Sequence, residues 1–214
     1  MPVATYIFLA IAAYLLGSIP FGYLLVRFFR KEDIRQKGSG NIGATNVIRS
    51  GAKGLGALTF LLDACKGVAA VLLCGFWGSH AGTGVMALHD AQAMGALFAI
   101  MGHIYPVWLR FKGGKGVATA FGVFVALAPA PALICLGIFA LTFAVTRYVS
   151  LGSILGTAAF PPIARVMENG PRGTLMWVVI LFLAVLVIWK HRQNIVRLLK
   201  GTEYRFGKPR AEAV

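Results

Sequence analysis

The 214-residue sequence predicts an all-α fold, a polytopic integral membrane bundle of seven transmembrane helices. Apolar residues make up 58% of the chain and charged residues only 13%, which is about half the usual share in soluble domains. The mean hydropathy is +0.76. The apolar residues also gather into runs of the length needed to cross a membrane as helix, and no alternation of period two marks a strand.

Along the chain the runs cover 4–28, 54–76, 84–106, 117–129, 131–147, 151–166 and 173–189. No basic segment precedes the first, so it reads as a retained span and not a cleaved leader. The stretch 117–149 is interrupted by Pro129-Ala-Pro131. As one helix it would be about 50 Å long against a hydrocarbon core of about 30 Å, so two short helices turning at the prolines fit better than one kinked helix. Charge sets the topology. With seven spans and the N-terminus outside, 18 basic residues fall on the inner side; with six spans, 12 fall inside and 8 outside. The bias of Lys and Arg toward the cytoplasm therefore selects seven spans with a cytoplasmic C-terminus. Residues 75–84, without Lys, Arg or carboxylate, suit an outer turn. No internal repeat, low-complexity tract or Pro/Ser-rich linker divides the chain, so 1–214 reads as a single domain.

The formal charge of +14 suits anionic lipid headgroups or phosphorylated substrates. Nucleic acid is the weaker partner, because the basic residues flank apolar spans and form no continuous stripe. Cys65, Cys74 and Cys135 form no CxxC and sit in or beside apolar runs, where packing is their expected role. No carboxylate, His or Cys pair has metal-ligand spacing, so neither a metal nor another cofactor is expected. A G-x-S-x-G elbow and an H-x4-D box are both absent from the sequence.

Three polar clusters, 38–53, 110–116 and 190–205, all fall on the cytoplasmic side of this topology, which lets them line one site. The first contains Gly38-Ser-Gly-Asn-Ile-Gly43, a G-x-G-x-x-G match followed 20 positions later by Asp63. A dinucleotide loop needs a preceding strand and a βαβ unit. This loop follows a membrane span, and Asp63 lies in an apolar helix, so the match fails. The P-loop fails too, for want of G-K-[ST]. The underlying physics remains: glycines let backbone approach an anion and expose N–H groups. Gly38, Gly40 and Gly43 provide that backbone, Ser39, Asn41, Thr45 and Asn46 add hydroxyl and amide groups, and Arg49 adds a planar fork. The second cluster repeats the recipe: Lys112 and Lys115 bracket Gly113-Gly114, Gly116 follows, and Thr119 opens the next helix. Two cationic, glycine-rich loops on one face point to two anions or two phosphates. The rival use, loops that merely meet anionic lipid, leaves the glycines unexplained.

As a helix, the third cluster sets His191, Asn194 and Arg197 on one face, with Gly201 as the stop. It reads either as a site that binds or activates a hydroxyl or as a snorkelling membrane-exit helix. Asp63 and Lys66, three apart in an apolar helix, are expected to pair with each other or across helices. His103, near Gly102 and Pro106 at the inner mouth of its span, serves equally as a hydrogen-bonded helix end or a catalytic group. His80 and His89 receive no role.

The segments Gly38–Arg49, Gly102–Thr119 and His191–Glu203, with "LLDACKG" between the first two, resemble the three motifs of the bacterial membrane glycerol-3-phosphate acyltransferases that use acyl phosphate. The resemblance runs in order over nearly the whole chain. It implies transfer of an acyl chain from acyl phosphate to the 1-hydroxyl of sn-glycerol 3-phosphate, giving lysophosphatidate and inorganic phosphate in the first step of phospholipid synthesis. It also implies a multi-pass protein of the bacterial inner membrane, its site facing the cytoplasm, acting as a monomer among membrane lipid. By resemblance Ser39, Asn41, Gly43 and Thr45 cradle the acyl-phosphate head, with Asn41 a candidate oxyanion donor. Arg49, Lys115, His191 and Asn194 hold glycerol 3-phosphate, Ser150 or Ser153 adds a hydroxyl, and Glu203 orders the third motif. Catalysis is expected from Ser39, Asn41, Lys115, His191 and Asn194, and the remaining cluster residues, with His103, bind substrate. The leaving phosphate departs as an anion and needs no acid, so direct transfer without an acyl-enzyme is preferred, the base being His191 or the substrate's own phosphate. The rival classes are a transporter for a phosphorylated solute, which predicts midplane anion ligands and symmetric halves, and a non-enzymatic anchor.

Overall fold

The computed structural model describes residues 3–81, 85–167 and 173–207, and these are helical with no strand among them. Among the described residues ten α-helices run in order: α1 (Val3–Ser18), α2 (Phe21–Arg30), α3 (Ala44–Arg49), α4 (Lys53–Ala81), α5 (Val85–Ile104), α6 (Val117–Leu127), α7 (Pro129–Thr146), α8 (Val149–Met167), α9 (Gly173–Lys190) and α10 (Arg192–Leu199). Five segments among the described residues are long and apolar enough to cross a membrane: Val3–Arg30, Lys53–His80, Pro129–Thr146, Val149–Met167 and Gly173–Lys190. Helix α6 is apolar but shorter. Large apolar side chains on their outer faces, such as Leu141, Val145, Val178 and Val185, are exposed, as suits contact with hydrocarbon.

Each expected run has a helical counterpart, with three physical adjustments. The first is two helices, because Pro20 has no N–H to continue the ladder and α2 restarts at Phe21. The turn between the fourth and fifth falls at Ala128, and Pro129 occupies the first turn of α7, where its missing N–H costs nothing. The expected outer turn at 75–84 is helical through Ala81, because α4 stays packed against α5. A Cβ at Gly78 would meet the side chain of Ala91, so only glycine allows that approach. Residues 82–84, Arg172, Lys208 and Arg210, which also entered the topology argument, lie outside the described residues.

Helix α4 is the centre of the bundle and touches α1, α2, α3, α5 and α6. Its contact with α6 uses a reciprocal pair of small residues: a Cβ at Gly67 would collide with the Thr119 carbonyl, and one at Gly122 with the Ala64 carbonyl. Helices in lipid associate by such close backbone approach, since burying apolar surface against another helix gains little over lipid. Away from this crossing, Phe124 of α6 stacks on Phe160 of α8 with ring centroids 3.7 Å apart. Ile100, Ile104, Met176, Ile180 and Leu183 complete the buried core.

Two charges lie inside this apolar framework. Lys66 Nζ sits 2.6 Å from Asp63 Oδ1, and both side chains are about as buried as the core leucines. The same ammonium donates to the Ile19 carbonyl at 2.8 Å, in the break between α1 and α2. His103 Nδ1 of α5 faces the same Asp63 oxygen at 3.5 Å.

Replacing Gly122 by Leu is expected to destabilise the detergent-solubilised protein by about 1–3 kcal/mol through overpacking against the Ala64 backbone. Leu at Gly137, which has open space around it, should leave the unfolding midpoint unchanged in the same experiment.

Candidate active site

The three polar clusters converge on a single cleft. Before reaching it, the first cluster is shaped into a rigid loop by one buried side chain. Asn46 Oδ1 accepts from the Ser39 N–H at 2.8 Å, while Asn46 Nδ2 donates to the carbonyls of Asn41, Lys37 and Ile34 at 2.8, 2.9 and 3.2 Å. Asn41 Oδ1 accepts from the Gly43 N–H at 2.8 Å, and the Gly40 N–H donates to the Lys37 carbonyl at 2.9 Å. Gly38 and Gly40 take left-handed φ values of 57° and 72°, which a side chain would oppose. The loop rests on a small core of Val26, Ile34, Ile42, Val47 and Leu109. The N–H groups of Ser39, Gly40 and Gly43 are thus engaged within the loop. This differs from the expectation of N–H groups left open for an anion, because Asn46 and Asn41 act as internal templates.

The second cluster folds against His103. The Gly113 and Gly114 N–H groups donate to the Ile104 and His103 carbonyls, each at 3.1 Å. A Cβ at Gly113 would strike the His103 carbonyl, and one at Gly114 the His103 ring. Gly116 precedes α6 with φ of 87°. This geometry brings Lys115 over the cleft, where its Nζ donates to Asn194 Oδ1 at 2.6 Å.

In the third cluster, α10 sets His191 and Asn194 on its buried face, and Gly201 ends the helix with φ of 68°. The chain then folds back and buries Glu203. Its Oε1 accepts from Asn194 Nδ2 at 2.7 Å and from Ser150 Oγ at 3.0 Å, and its Oε2 accepts from Arg197 Nε at 2.7 Å. One carboxylate therefore joins α8, α10 and, through Asn194, the Lys115 loop. Ser153 Oγ donates to the Val149 carbonyl of its own helix at 2.9 Å.

The cleft encloses about 820 Å³, its open mouth included. From the predicted residues it gathers Ser39, Asn41, Gly43, Thr45, Asn46 and Arg49; His103, Lys115 and Gly116; Ser150 and Ser153; and His191, Asn194 and Glu203. Gly38 lines an outer vestibule with Arg197 and Arg205. Gly40, Lys112, Gly113, Gly114 and Thr119 do not line either space. Lys112 is exposed, and Thr119 is buried at the α4–α6 crossing, while the glycines shape the loops. Asn46 was expected to offer an amide donor, but the geometry spends its amide hydrogens on three carbonyls.

Sequence reasoning missed Tyr204, whose ring lies under the Arg49 guanidinium, the carbon 3.8 Å from the ring centroid. It also missed a neighbouring apolar groove of about 540 Å³ between α4, α6, α7 and α8, lined by residues such as Ala132, Cys135, Leu136 and Gly156. Phe60, Val117, Phe139 and Ser153 border both the groove and the polar cleft, so the two are continuous. Small residues spread over three helices create the groove, and no local sequence pattern announces it.

Charge states follow from this burial. Burial draws the Lys115 pKa down to about 8, opposed by the charge of Glu203, so the ammonium remains mostly charged at neutral pH. Burial draws His191 down to about 4, outweighing its hydrogen bond to the Val187 carbonyl, and the imidazole is neutral. That carbonyl can only accept, so at 2.8 Å His191 Nδ1 carries the hydrogen and Nε2 is left as an acceptor. Burial alone would raise the Glu203 pKa, but the bonds from Asn194, Arg197 and Ser150 outweigh it and hold it below the ordinary value. No group of three or more His, Cys, Asp or Glu side chains among the described residues has the geometry to hold a metal. The arrangement is suited to anions: three basic side chains, Arg49, Lys115 and Arg197, line the same space as one carboxylate that is already hydrogen-bonded.

The model of the family described as glycerol-3-phosphate acyltransferase matches residues 7–201. A glycerol-3-phosphate acyltransferase of Agrobacterium fabrum is 47% identical over 93% of this chain and 91% of its own. One of Desulforamulus reducens is 45% identical over 95% and 96% respectively. Among solved structures, PlsY (YgiH), described as an integral membrane glycerol 3-phosphate acyltransferase, superposes in its glycerol 3-phosphate form with a TM-score of 0.84 at 39% identity. The match covers 94% of this chain and 96% of that one. Its lysophosphatidic acid form gives 0.82, covering 94% and 95%.

Removing one partner of the buried ion pair should be costly. Asp63→Asn is expected to lower stability by about 3–5 kcal/mol, because Lys66 is left buried and uncompensated. Asp63→Leu combined with Lys66→Met should recover much of that loss, measured by unfolding of the solubilised protein.

Proposed function

The chain belongs to the glycerol-3-phosphate acyltransferase family, and from that premise we propose that it moves an acyl chain from acyl phosphate to the 1-hydroxyl of sn-glycerol 3-phosphate. The products are lysophosphatidate and inorganic phosphate. The observation that carries the reading is the continuity of a cationic cleft with an apolar groove. A long-chain acyl phosphate has an apolar tail joined to an anionic head through one reactive carbonyl, and the acceptor brings a second phosphate. A single groove and a multiply cationic cleft match that pair of substrates. The enzyme is read as crossing a bacterial inner membrane seven times, N-terminus outside, with the cleft facing the cytoplasm, and as working as a monomer. The distribution of Lys and Arg supports that orientation.

Within the cleft, the 38–45 loop receives the head of the donor, with Ser39 and Thr45 as hydroxyl donors and Asn41 Nδ2 as the candidate donor to the developing oxyanion. Asn41 Oδ1 is tied to Gly43, which fixes the direction of its amide. Arg49 and Lys115 bind the phosphate of the acceptor. Asn194, held between Lys115 and Glu203, positions the lysine more than it meets substrate. The glycerol oxygen attacks the carbonyl carbon, the carbon–oxygen bond to phosphate breaks, and phosphate leaves with the electron pair. The hydroxyl proton passes to the departing phosphate. His191, neutral with a pKa near 4, is a weaker base than a phosphate dianion whose conjugate acid has a pKa of about 6. Its free Nε2 instead accepts from the glycerol hydroxyl and aims it. No acyl-enzyme forms.

Purified protein given long-chain acyl phosphate and glycerol 3-phosphate should release inorganic phosphate together with lysophosphatidate. Release no faster than from a Lys115→Ala variant would reject the reading. Rapid quenching and mass spectrometry should find no acyl adduct on Ser39 or on a cysteine, and such an adduct would reject direct transfer.

The pH dependence follows from Lys115. Its charged form is the lower-pH form, so kcat/KM should fall as pH rises through about 8. Lys115→Arg, which stays protonated, should be less active but lack that falling limb in a pH–rate profile.

A further inference from the structure

The short segment after α10 bears directly on the cleft. Beyond Gly201 it folds back toward the junction of α7 and α8. The Phe206 N–H donates to the Arg147 carbonyl at 3.1 Å, and Arg205 Nε donates to the Thr146 carbonyl at 3.2 Å. The Phe206 ring meets Phe143 of α7 edge-on at 5.7 Å, and Tyr204 meets Phe206 edge-on at 5.0 Å. Glu203, one residue earlier, is locked by Ser150, Asn194 and Arg197. Tyr204 is therefore fixed on both sides, and its ring lies at the lining of the cleft, 3.8 Å from the Arg49 guanidinium carbon.

We propose that Tyr204 is a positioning residue for the acceptor phosphate: its ring is the platform that holds the Arg49 guanidinium flat, with the N–H edges directed to phosphate oxygens. The inference rests on the acyl-transfer reading of the cleft. The physical reason is geometric. A guanidinium binds an aromatic ring through its flat face and binds oxyanions through its edges, so the two interactions do not compete. Arg49 is the last residue of a six-residue helix, and a contact that holds its long side chain before substrate arrives reduces the rotamer freedom left to lose on each binding event. A preformed stack moves that cost from binding to folding, as preorganisation does generally. The effect belongs to binding, because the acceptor phosphate does not change charge as the acyl group moves. It should therefore appear in KM for glycerol 3-phosphate and not in kcat.

The test varies the ring's electrostatics at constant shape. Phenylalanine at Tyr204, then phenylalanines carrying one, two, three and five ring fluorines, progressively remove the negative face that attracts the cation. Phe should resemble the unaltered enzyme, and KM for glycerol 3-phosphate should climb along the series to about threefold to tenfold at the end. The kcat and the KM for acyl phosphate should stay constant. Tyr204→Leu should match the last member, and if the leucine variant does not fold, the isosteric fluorinated series still decides. A flat KM across the series would overturn the proposal, as would a falling kcat at constant KM. If the unaltered enzyme shows no turnover, the acyl-transfer reading itself fails and the Tyr204 role with it. An active enzyme with a flat series rejects Tyr204 alone.

Discussion

The contact between Lys66 and Asp63 constrains more of this molecule than any other. Two charges in the apolar interior cost several kcal/mol unless they neutralise each other and satisfy their remaining hydrogen bonds. Asp63 answers the charge at 2.6 Å, and the Ile19 carbonyl takes a further ammonium hydrogen at 2.8 Å. That carbonyl sits where Pro20 interrupts the first helix. The pair therefore sets α4 against a particular break in the chain, and the break turns α2 toward the loop that carries Ser39 and Asn41. His103, which faces the same Asp63 oxygen, carries the Gly113–Gly114 backbone on its ring and carbonyl. Two of the three loops that form the cleft are positioned from this one buried point.

A second carboxylate organises the remaining side by different means. Glu203 is the hub for Ser150, Asn194 and Arg197, yet it does not touch Lys115 directly. The lysine instead meets the neutral oxygen of Asn194. This matters for binding anions. A lysine in direct contact with a carboxylate would have to give up that partner when phosphate arrived, and the exchange would gain little. An amide fixes the ammonium's direction without neutralising it, so its charge stays available. The same burial that makes Lys115 somewhat acidic leaves it cationic at neutral pH, while it makes His191 too weak a base to compete with a phosphate.

Much of this was legible in the sequence because it depends on local periodicity. Apolar runs located the long helices but not the short α3, the Pro129 turn was misplaced by only one residue, and the spacing of three predicted the shared face of His191 and Asn194. Asp63 and Lys66 announced their pairing by being charged in an apolar helix. What stayed hidden depends on tertiary direction. Asn46 reads as one more polar loop residue, and only the fold shows its amide turned inward to four backbone groups. Tyr204 follows Glu203 in a short coil segment, where no period says which way a ring points. The apolar groove arises from small residues on separate helices and has no sequence signature at all.

The groove and the cleft meet at a seam of four shared residues. In a long-chain acyl phosphate the reactive carbonyl is the atom group that joins tail to head. If the tail occupies the groove and the head the cleft, that carbonyl must lie near Phe60, Val117, Phe139 and Ser153, the residues common to both. Three of these are apolar, so the electrophile would sit where water is least favoured, which would protect an activated anhydride from hydrolysis. On the proposed reading, an acceptor phosphate bound by Arg49 and Lys115, which line the outer vestibule, would be separated from the seam by the length of its own glycerol backbone. Its free hydroxyls would then be directed inward, past His191, toward the carbonyl. On that reading the division of the site into an apolar end and a cationic end would do more than bind two unlike groups: it would place nucleophile and electrophile at the one position where the two environments meet.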